Sequence, residues 1–251
     1  MFKQAIKKFR RKHGLESKTL RCDYRASGLG VRNKELGFLE EPNFKNAWAR
    51  ALEGAEYGWS GLVPDIRWRA HIAVWAARRG LQLEGDFVEC GVYTGLLSLT
   101  VCHALGFADI KRKFYLFDTY DGVPIDRLPA GERELAETMN KNMYKDVYAE
   151  VQKHFSPFPN AVLVRGVLPE TLESVPLKKI AYMSIDLNNA TAEQPCIERL
   201  WPLISPGALI VFDDYAHKGH RPQYDMWNDF AAKMGTTVVT LPTGQGLIIR
   251  P

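Results

Sequence analysis

The stretch from residue 85 to residue 98, GDFVECGVYTGLLS, constrains the fold more than any other part of the chain. Phe87 and Val88 favour a strand, Gly91 and Gly95 allow a tight turn, and the apolar residues that follow favour a helix. A strand that runs through such a turn into a helix leaves backbone N–H groups free to donate hydrogen bonds to a ligand. We therefore expect a ligand at this turn.

The glycine spacing and one acid indicate which ligand to expect. A dinucleotide fingerprint has three glycines in the pattern G-x-G-x-x-G, whereas this chain has only Gly91 and Gly95, spaced G-x-x-x-G. Glu89 would suit an ammonium group, and the helix N-terminus would suit a carboxylate. S-adenosylmethionine (SAM) carries both groups. An ordinary turn beside a chance acid explains these residues equally well, so further support is needed.

Apolar segments alternate with helical patterns along the rest of the chain, and this alternation predicts the fold class. After the strand at 87–90, the predicted strands are Lys113–Phe117, Ala161–Gly166, Ile180–Ile185 and Ala208–Phe212. Continuously apolar strands separated by helices predict a doubly wound, mostly parallel α/β sheet, with the ligand at the carboxyl ends of the strands.

The C-terminal segment predicts an antiparallel hairpin that completes a seven-stranded sheet. Thr237–Leu241 and Leu247–Ile249 flank a loop that contains Pro242, Gly244 and Gly246. A parallel sheet that ends in such a hairpin is the mark of the Rossmann-like class I SAM-dependent methyltransferase fold. We therefore expect this fold over residues 63–251.

Two segments lie outside the regular alternation. Residues 121–158 form an insertion with a helical stripe, which could be a lid over the ligand or part of the core. Residues 64–83 predict a helix before the first strand, on which arginines mark a polar face opposite the apolar one: Arg67, Arg69, Arg78 and Arg79.

Asp118 gives the first independent support for a nucleoside ligand. It follows the second strand and lies 23 residues after Gly95. An acid about 20 residues beyond the glycine turn meets ribose hydroxyls in nucleotide-binding folds. We expect Asp118 to accept two O–H bonds from an adenosine ribose; the alternative is that it caps the strand end.

Three aspartates end two other strands. Asp186 follows the fourth strand, and Asp213 and Asp214 follow the fifth. Neighbouring strand ends would bring these carboxylates together, and a hard divalent cation such as Mg²⁺ would offset their repulsion. The alternative is that Asp213 and Asp214 cap the next helix. His217 and His220, just downstream, are candidate general bases or exposed loop residues.

The N-terminal segment, 1–62, predicts a short basic amphipathic helix over residues 1–14 and then an irregular arm. Residues 1–13 hold six Lys or Arg and no acid, so the net charge of +4 belongs to this segment. The folded body therefore lacks the basic face that binding to nucleic acid needs. The helix could touch a membrane surface or pack on a partner subunit.

Cysteine spacing and hydropathy predict the cellular setting. The four cysteines, Cys22, Cys90, Cys102 and Cys196, do not pair as C-x-x-C. No apolar run is long enough to span a membrane, and residues 1–14 lack the apolar region and the cleavage site expected of a signal peptide. We expect reduced thiols in a cytoplasmic protein without integral membrane association, assembled as a homo-oligomer.

Several ordered motifs resemble the macrocin O-methyltransferase family from about residue 60 to the C-terminus. The matching segments are DFVECGV (86–92), YLFDTYDGVP (115–124), LVRG (163–166) with PETL (169–172), and VFDDY (211–215). Members of this family use SAM and Mg²⁺ to methylate sugar hydroxyls of antibiotics and related glycosides.

The resemblance implies roles for particular residues. SAM would contact Glu89, Gly91, Val92, Tyr93, Thr94, Gly95, Ser98, Asp118, Thr119, Gly166, Val167 and Asp186, and the metal would bind Asp186, Asp213 and Asp214. Many members have I-D-x-D-x-Y after the fourth strand, whereas this chain has Asn188 at the second acid. Because an amide cannot act as a carboxylate base, that role does not carry over.

The sequence therefore predicts O-methyl transfer from SAM to a hydroxyl of a small glycosylated or polyhydroxylated acceptor. Asp186, His217 and His220 are the candidate catalytic residues. Two alternatives stay open: a catechol or phenol acceptor, and a SAM-binding protein without catalysis, which Asn188 motivates.

Overall fold

The computed structural model describes residues 22–55, 58 and 63–251, and its central feature is a seven-stranded sheet. The strands are β3 (Asp86–Cys90), β4 (Phe114–Asp118), β5 (Ala161–Arg165), β6 (Ile180–Ile185), β7 (Ile204–Phe212), β8 (Val239–Thr240) and β9 (Gly246–Ile249). Their order is β5-β4-β3-β6-β7-β9-β8. The first five are parallel, and β9 runs antiparallel to β7 and β8. The predicted α/β fold with a C-terminal antiparallel hairpin is confirmed.

Helices cover both faces of the sheet. They are α1 (Pro42–Ala55), α2 (Arg67–Gly80), α3 (Leu96–Leu105), α4 (Ala130–Asn142), α5 (Tyr148–Phe155), α6 (Ala190–Leu200) and α7 (Arg221–Lys233). One hydrophobic core joins α1, α2, α3 and α5 to one face, and a second joins α6 and α7 to the other. Strands β3 and β6 are almost entirely buried, which explains why most of their residues are apolar and makes the buried Glu89 of β3 an exception.

Strand β7 is longer than the sequence predicts. It begins at Ile204, which pairs with Ile180, and passes through Pro206 and Gly207 before the apolar run. Because proline and glycine usually end strands, the pattern placed the start at Ala208.

The described part of the N-terminal segment is more regular than the predicted irregular arm. Strands β1 (Tyr24–Ala26) and β2 (Leu29–Val31) form a small antiparallel hairpin. Helix α1 buries Phe44, Ala47 and Ala51 in the first core. The predicted basic helix at residues 1–14 lies outside the described residues, and the predicted homo-oligomer stays a prediction.

The insertion at 121–158 contains two helices with different environments. Helix α5 buries Val151 and Phe155 in the core, whereas the C-terminal end of α4 and the loop after it face a cavity. The insertion therefore serves as core at one end and as cavity wall at the other.

No helix in the described ranges has the length and apolarity needed to cross a membrane. All four cysteines are free thiols, and three of them are buried.

Candidate active site

A cavity of about 880 Å³ opens at the carboxyl ends of the parallel strands. This volume lies within the range of small-molecule sites. Most of the residues predicted to bind ligand line it: Glu89, Gly91, Val92, Tyr93, Thr94, Asp118, Thr119, Gly166, Val167, Asp186, Asp213, Asp214, His217 and His220. The cavity therefore joins the predicted cofactor residues to the predicted catalytic residues.

The turn after β3 approaches the neighbouring strand end very closely. Gly91 has φ +88°, and a Cβ there would lie 1.9 Å from the backbone oxygen of Asp186. Gly95, with φ +81°, leaves no room for a Cβ either, since it would lie 2.5 Å from the Phe155 ring. Both glycines are needed for steric reasons, so their spacing reflects the packing of this turn as well as ligand approach.

Asp118 fixes the conformation of that turn. One carboxylate oxygen accepts hydrogen bonds from the backbone N–H groups of Val92 and Tyr93, the latter at 2.7 Å. The other oxygen accepts from the N–H of Tyr120 at 2.6 Å and lies 3.3 Å from the Thr119 hydroxyl, which donates to the backbone oxygen of Gly122 at 2.5 Å. Asp118 thus holds the wall of the cavity in place, a role that the sequence analysis did not foresee.

Glu89 is buried next to this turn with an unsatisfied oxygen. Its side chain is 3% exposed, and Oε2 has no hydrogen-bond partner. Burial raises the pKa of Glu89 well above its ordinary value, the charges of Asp118 and Asp213 raise it further, and a hydrogen bond with Ser98 lowers it. An unpaired buried carboxylate oxygen is costly, so a cationic donor in the cavity would be strongly favoured here.

Two predicted cofactor residues lie behind the cavity wall. Gly95 and Ser98 are not among the lining residues, and Ser98 is fully buried. The Ser98 hydroxyl donates to the backbone oxygen of Gly95 at 3.4 Å. Ser98 therefore acts on the site through the turn and through Glu89.

The three aspartates converge as predicted, because strand register aligns the ends of β6 and β7. Ile185 pairs with Phe212, so Asp186 and Asp213 follow side by side. Helix α7 begins at Arg221 after His220, so Asp213 and Asp214 do not cap it, and the capping alternative is wrong.

An arginine that the sequence analysis placed on a polar helix face lies among these carboxylates. Arg69 of α2 donates to Asp213 and lies 3.6 Å from Asp214 Oδ1, with only 11% of its side chain exposed. Burial lowers the pKa of Arg69, but the charges of Asp213, Asp214 and Asp186 outweigh this effect and raise it. The cluster therefore contains its own counter-charge.

This counter-charge bears on the predicted Mg²⁺ site. Among the described residues, no group of three or more His, Cys, Asp or Glu side chains is arranged to hold a metal ion. The donor chemistry nevertheless suits a hard cation, since Asp186 Oδ1 and Asp213 Oδ1 are buried oxygens without a hydrogen-bond partner. The positions of the three aspartates do not themselves support a metal site, because Arg69 already pairs with Asp213.

The two histidines differ in their surroundings. His217 is exposed at the rim, whereas His220 is 7% exposed and lies beneath it, with the ring centroids 5.5 Å apart. His220 Nε2 lies 3.6 Å from Asp214 Oδ2, and Nδ1 contacts the side-chain oxygen of Gln223 at 2.5 Å. Only His220 has a side-chain orientation fixed by this buried contact.

Comparison with known proteins identifies the family. The macrocin-O-methyltransferase (TylF) family matches residues 73–238, which is well over half of the chain. The chain belongs to the macrocin O-methyltransferase family. The match includes the turn after β3, Asp118 and all three aspartates of the cluster.

Curated relatives of this macrocin O-methyltransferase family member have diverged in sequence. The chain is 25% identical over 160 residues to 8-demethyl-8-(2,3-dimethoxy-alpha-L-rhamnosyl)-tetracenomycin-C 4'-O-methyltransferase from Streptomyces olivaceus, covering 60% of this chain and 59% of that protein. It is 24% identical over 142 residues to Mycinamicin III 3''-O-methyltransferase from Micromonospora griseorubida, covering 52% and 55%. The chain thus spans somewhat more than half the length of these relatives.

Solved structures confirm the fold of this family member. The O-methyltransferase NovP superposes with a TM-score of 0.67 at 18% identity, covering 86% of this chain and 99% of that one. The calicheamicin methyltransferase CalS11 has a TM-score of 0.57 at 16% identity, covering 92% and 99%.

Asn188 stands where the resemblance to this macrocin family implies a second acid, and the structure shows what the amide does. Asn188 has φ +61° and donates from Nδ2 to the Tyr144 hydroxyl at 3.2 Å. Tyr144 also packs edge-on against Tyr93 at 4.8 Å. Burial raises the pKa of Tyr144 well above its ordinary value, and the charges of Asp186, Asp118 and Asp214 add to this, so the phenol keeps its proton.

Tyr144 connects Asn188, just after the end of β6, to Tyr93 of the turn after β3. Tyr144 and Asn188 both line the cavity, as do Met139 and Met143 at the end of α4. From the sequence, the helical stripe in residues 121–158 was expected to be core or lid, and no motif marked Tyr144 as part of the site. Ser27, from the β1–β2 hairpin, also lines the cavity, in a segment where the sequence carried no readable pattern.

Proposed function

We propose that this protein is a SAM-dependent O-methyltransferase that acts on a hydroxyl of a small glycosylated or polyhydroxylated acceptor. The observation that carries the proposal is the single cavity that runs from the unpaired Glu89 oxygen to the aspartate cluster. One end offers a carboxylate for the SAM ammonium group, and the other offers polar groups for an acceptor. Family membership supports the same chemistry.

SAM is proposed to bind along the turn after β3. The SAM ammonium group would donate to Glu89, and its carboxylate would accept N–H bonds near the N-terminus of α3. Asp118 already accepts three backbone N–H bonds, so ribose hydroxyls would use the acceptor capacity that remains on its two oxygens. Gly166 and Val167 would face the adenine.

The acceptor is proposed to enter beside Asp186, Asp213 and Asp214. Bound SAM would supply an activated methyl group, which would pass to the acceptor hydroxyl oxygen as the bond from that carbon to sulfur breaks, with S-adenosylhomocysteine as the leaving product. Because the methyl group is already activated, the main task of the protein is to align the oxygen with it. His220 is the proposed acceptor of the hydroxyl proton, since it is buried beside the cluster, whereas Asn188 cannot take a proton.

Metal dependence is a separate part of the proposal. Asp186, Asp213 and Asp214 would hold a divalent cation, which would orient the acceptor oxygens and lower the pKa of the hydroxyl. The two unpaired carboxylate oxygens favour this role, and Arg69 opposes it by already neutralising Asp213. Activity in EDTA compared with activity in Mg²⁺ tests this part alone.

A sugar acceptor is favoured because the Streptomyces olivaceus relative is named for a rhamnosyl substrate. The deciding experiment is methyl transfer from isotopically labelled SAM to a panel of deoxysugar glycosides and catechols, with product detected by mass spectrometry. We expect transfer to a glycoside. Transfer to catechols alone would replace the sugar assignment, and SAM binding without any transfer would indicate a non-catalytic binding protein.

A further inference from the structure

A buried carboxylate outside the cavity connects to it through a chain of side chains. Glu193 of α6 is 1% exposed and accepts three hydrogen bonds. Trp227 Nε1 donates to Oε2 at 2.7 Å, and Gln223 Nε2 and the backbone N–H of Leu187 donate to Oε1 at 2.7 and 3.2 Å. All three partners are donors, so they favour the ionised carboxylate and oppose the burial that raises the pKa of Glu193 to about 8. Nothing in the proposed reaction uses this group directly.

The charge of Glu193 determines which way the Gln223 amide points. Ionised carboxylates only accept hydrogen bonds, so the atom that Gln223 turns toward Glu193 has to be its NH₂ group. The Gln223 oxygen then faces the opposite way, toward His220 Nδ1 at 2.5 Å. Because this oxygen only accepts, the Nδ1 atom of His220 has to carry a proton.

Within the described part of the chain, the second ring nitrogen of His220 has no hydrogen bond. Asp214 Oδ2 lies 3.6 Å from Nε2, which is too long for one. His220 lines the cavity beside Asp214. A neutral imidazole protonated on Nδ1 therefore directs the lone pair of Nε2 toward this part of the site.

We propose that Glu193 and Gln223 are positioning residues that hold His220 in its Nδ1–H tautomer, with Nε2 unprotonated and facing the acceptor end of the cavity. This inference rests on the proposed function for its chemical meaning, since Nε2 is the atom that would take the acceptor proton. The tautomer itself is a property of the protein without any substrate.

The tautomer can be measured directly by long-range ¹H–¹⁵N NMR of protein labelled with ¹⁵N-histidine. The chain has six histidines, and a His220→Gln variant identifies the signals of His220. Spectra are recorded at about pH 9, above the pKa of about 8 to which burial raises Glu193. We expect proton coupling at Nδ1 and an unprotonated Nε2.

Two variants test whether the relay sets this tautomer. Glu193→Gln keeps the shape of the side chain but adds a donor, so the Gln223 amide is free to reverse and present its NH₂ group to Nδ1. We expect the tautomer ratio to move toward Nε2–H and kcat to fall by about 10²-fold, a loss at the lower end of what a general base supplies. Gln223→Met removes the acceptor for Nδ1 and should also move the ratio. The KM for SAM should stay unchanged in both.

Matched controls separate positioning from helix stability. Glu198→Gln and Gln194→Met make the same chemical changes at exposed positions of α6, where the two side chains bond only each other. Both controls should leave the spectrum and kcat unchanged.

Two results would overturn the inference: a parent protein in which His220 carries its proton on Nε2, or folded Glu193→Gln and Gln223→Met variants with an unchanged tautomer ratio. Failure of the proposed function looks different, because the nitrogen spectra need no substrate. Full methyl transfer by His220→Gln would refute the base role assigned under that function, whatever the tautomer.

Discussion

Replacing Arg69 by Met should destabilise the protein in a way that depends on pH and on divalent cations. Met keeps much of the apolar stem of Arg69 but removes the charge that lies among Asp186, Asp213 and Asp214. Removing one partner of a buried ion pair typically costs 3–5 kcal/mol, because the remaining charge is left uncompensated. With 11% of the side chain exposed, Arg69 is buried enough for that range to apply, and we expect about 3 kcal/mol near pH 7.

The pH dependence follows from the carboxylates. Burial raises the folded-state pKa of Asp186 and of Asp213, repulsion among the aspartates adds to it, and Arg69 lowers it. A raised folded pKa stabilises the protein below the unfolded pKa, and this stability is lost as the pH rises through the folded pKa. Without Arg69 both pKa values rise further. The loss in Arg69→Met should therefore be largest at neutral and alkaline pH and should fade below about pH 3, where the carboxylates are mostly protonated in both states.

The assay is urea unfolding of the parent, Arg69→Met and the control Arg78→Met, at several pH values, with EDTA and with Mg²⁺. Arg78 is an exposed residue of the same helix, so its replacement should change stability by no more than about 0.5 kcal/mol. If the aspartates also bind a cation, Mg²⁺ at 100 times its Kd should return about 2.7 kcal/mol to Arg69→Met. Equal stabilities of the two variants at pH 7 would refute the idea that Arg69 balances the cluster, and an absence of any Mg²⁺ effect would count against the metal.

Three further predictions concern the cavity. SAM should raise the melting temperature of the protein, and NAD should not; a shift with NAD alone would contradict the SAM assignment. In calorimetry, SAM affinity should rise with pH as Glu89 ionises, over a range above the ordinary carboxyl pKa. Glu89→Gln should bind SAM more weakly and lose this pH dependence, whereas the surface control Glu84→Gln should not. Tyr144→Phe should lower kcat/KM for the acceptor while leaving SAM affinity unchanged, because it removes a hydroxyl group near the aspartates. A loss confined to SAM binding would place Tyr144 at the cofactor instead.

The features that were predicted correctly depend on local pattern and on sheet geometry. Strand β6 was predicted with its observed bounds because six buried residues in a row leave little choice of structure. The meeting of Asp186 with Asp213 and Asp214 followed from the rule that parallel strands end at one edge. In both cases the residues of one strand, without contacts from distant segments, are enough to predict where those residues lie in the sheet.

The features that were missed depend on contacts between distant segments. Arg69 lies 144 residues before Asp213, and its helix carries three other arginines with the same local pattern, so only packing shows which one enters the site. The contact between Tyr144 and Asn188 likewise depends on how the loop after α4 meets the end of β6. Helical periodicity identified the insertion but could not divide it between core and cavity wall.

The change at Asn188 bears on where the acceptor proton goes. The family resemblance implies a second acid at this position, where the chain has an amide. A further carboxylate here would add to a group of buried charges that already raise one another's pKa and share a single arginine. Asn188 instead donates to Tyr144, adds no charge and accepts no proton. With an amide at that position, the proposed base is His220, whose orientation is fixed by Gln223. The proposed support of His220 by Glu193 and Gln223 is therefore consistent with an uncharged residue at position 188.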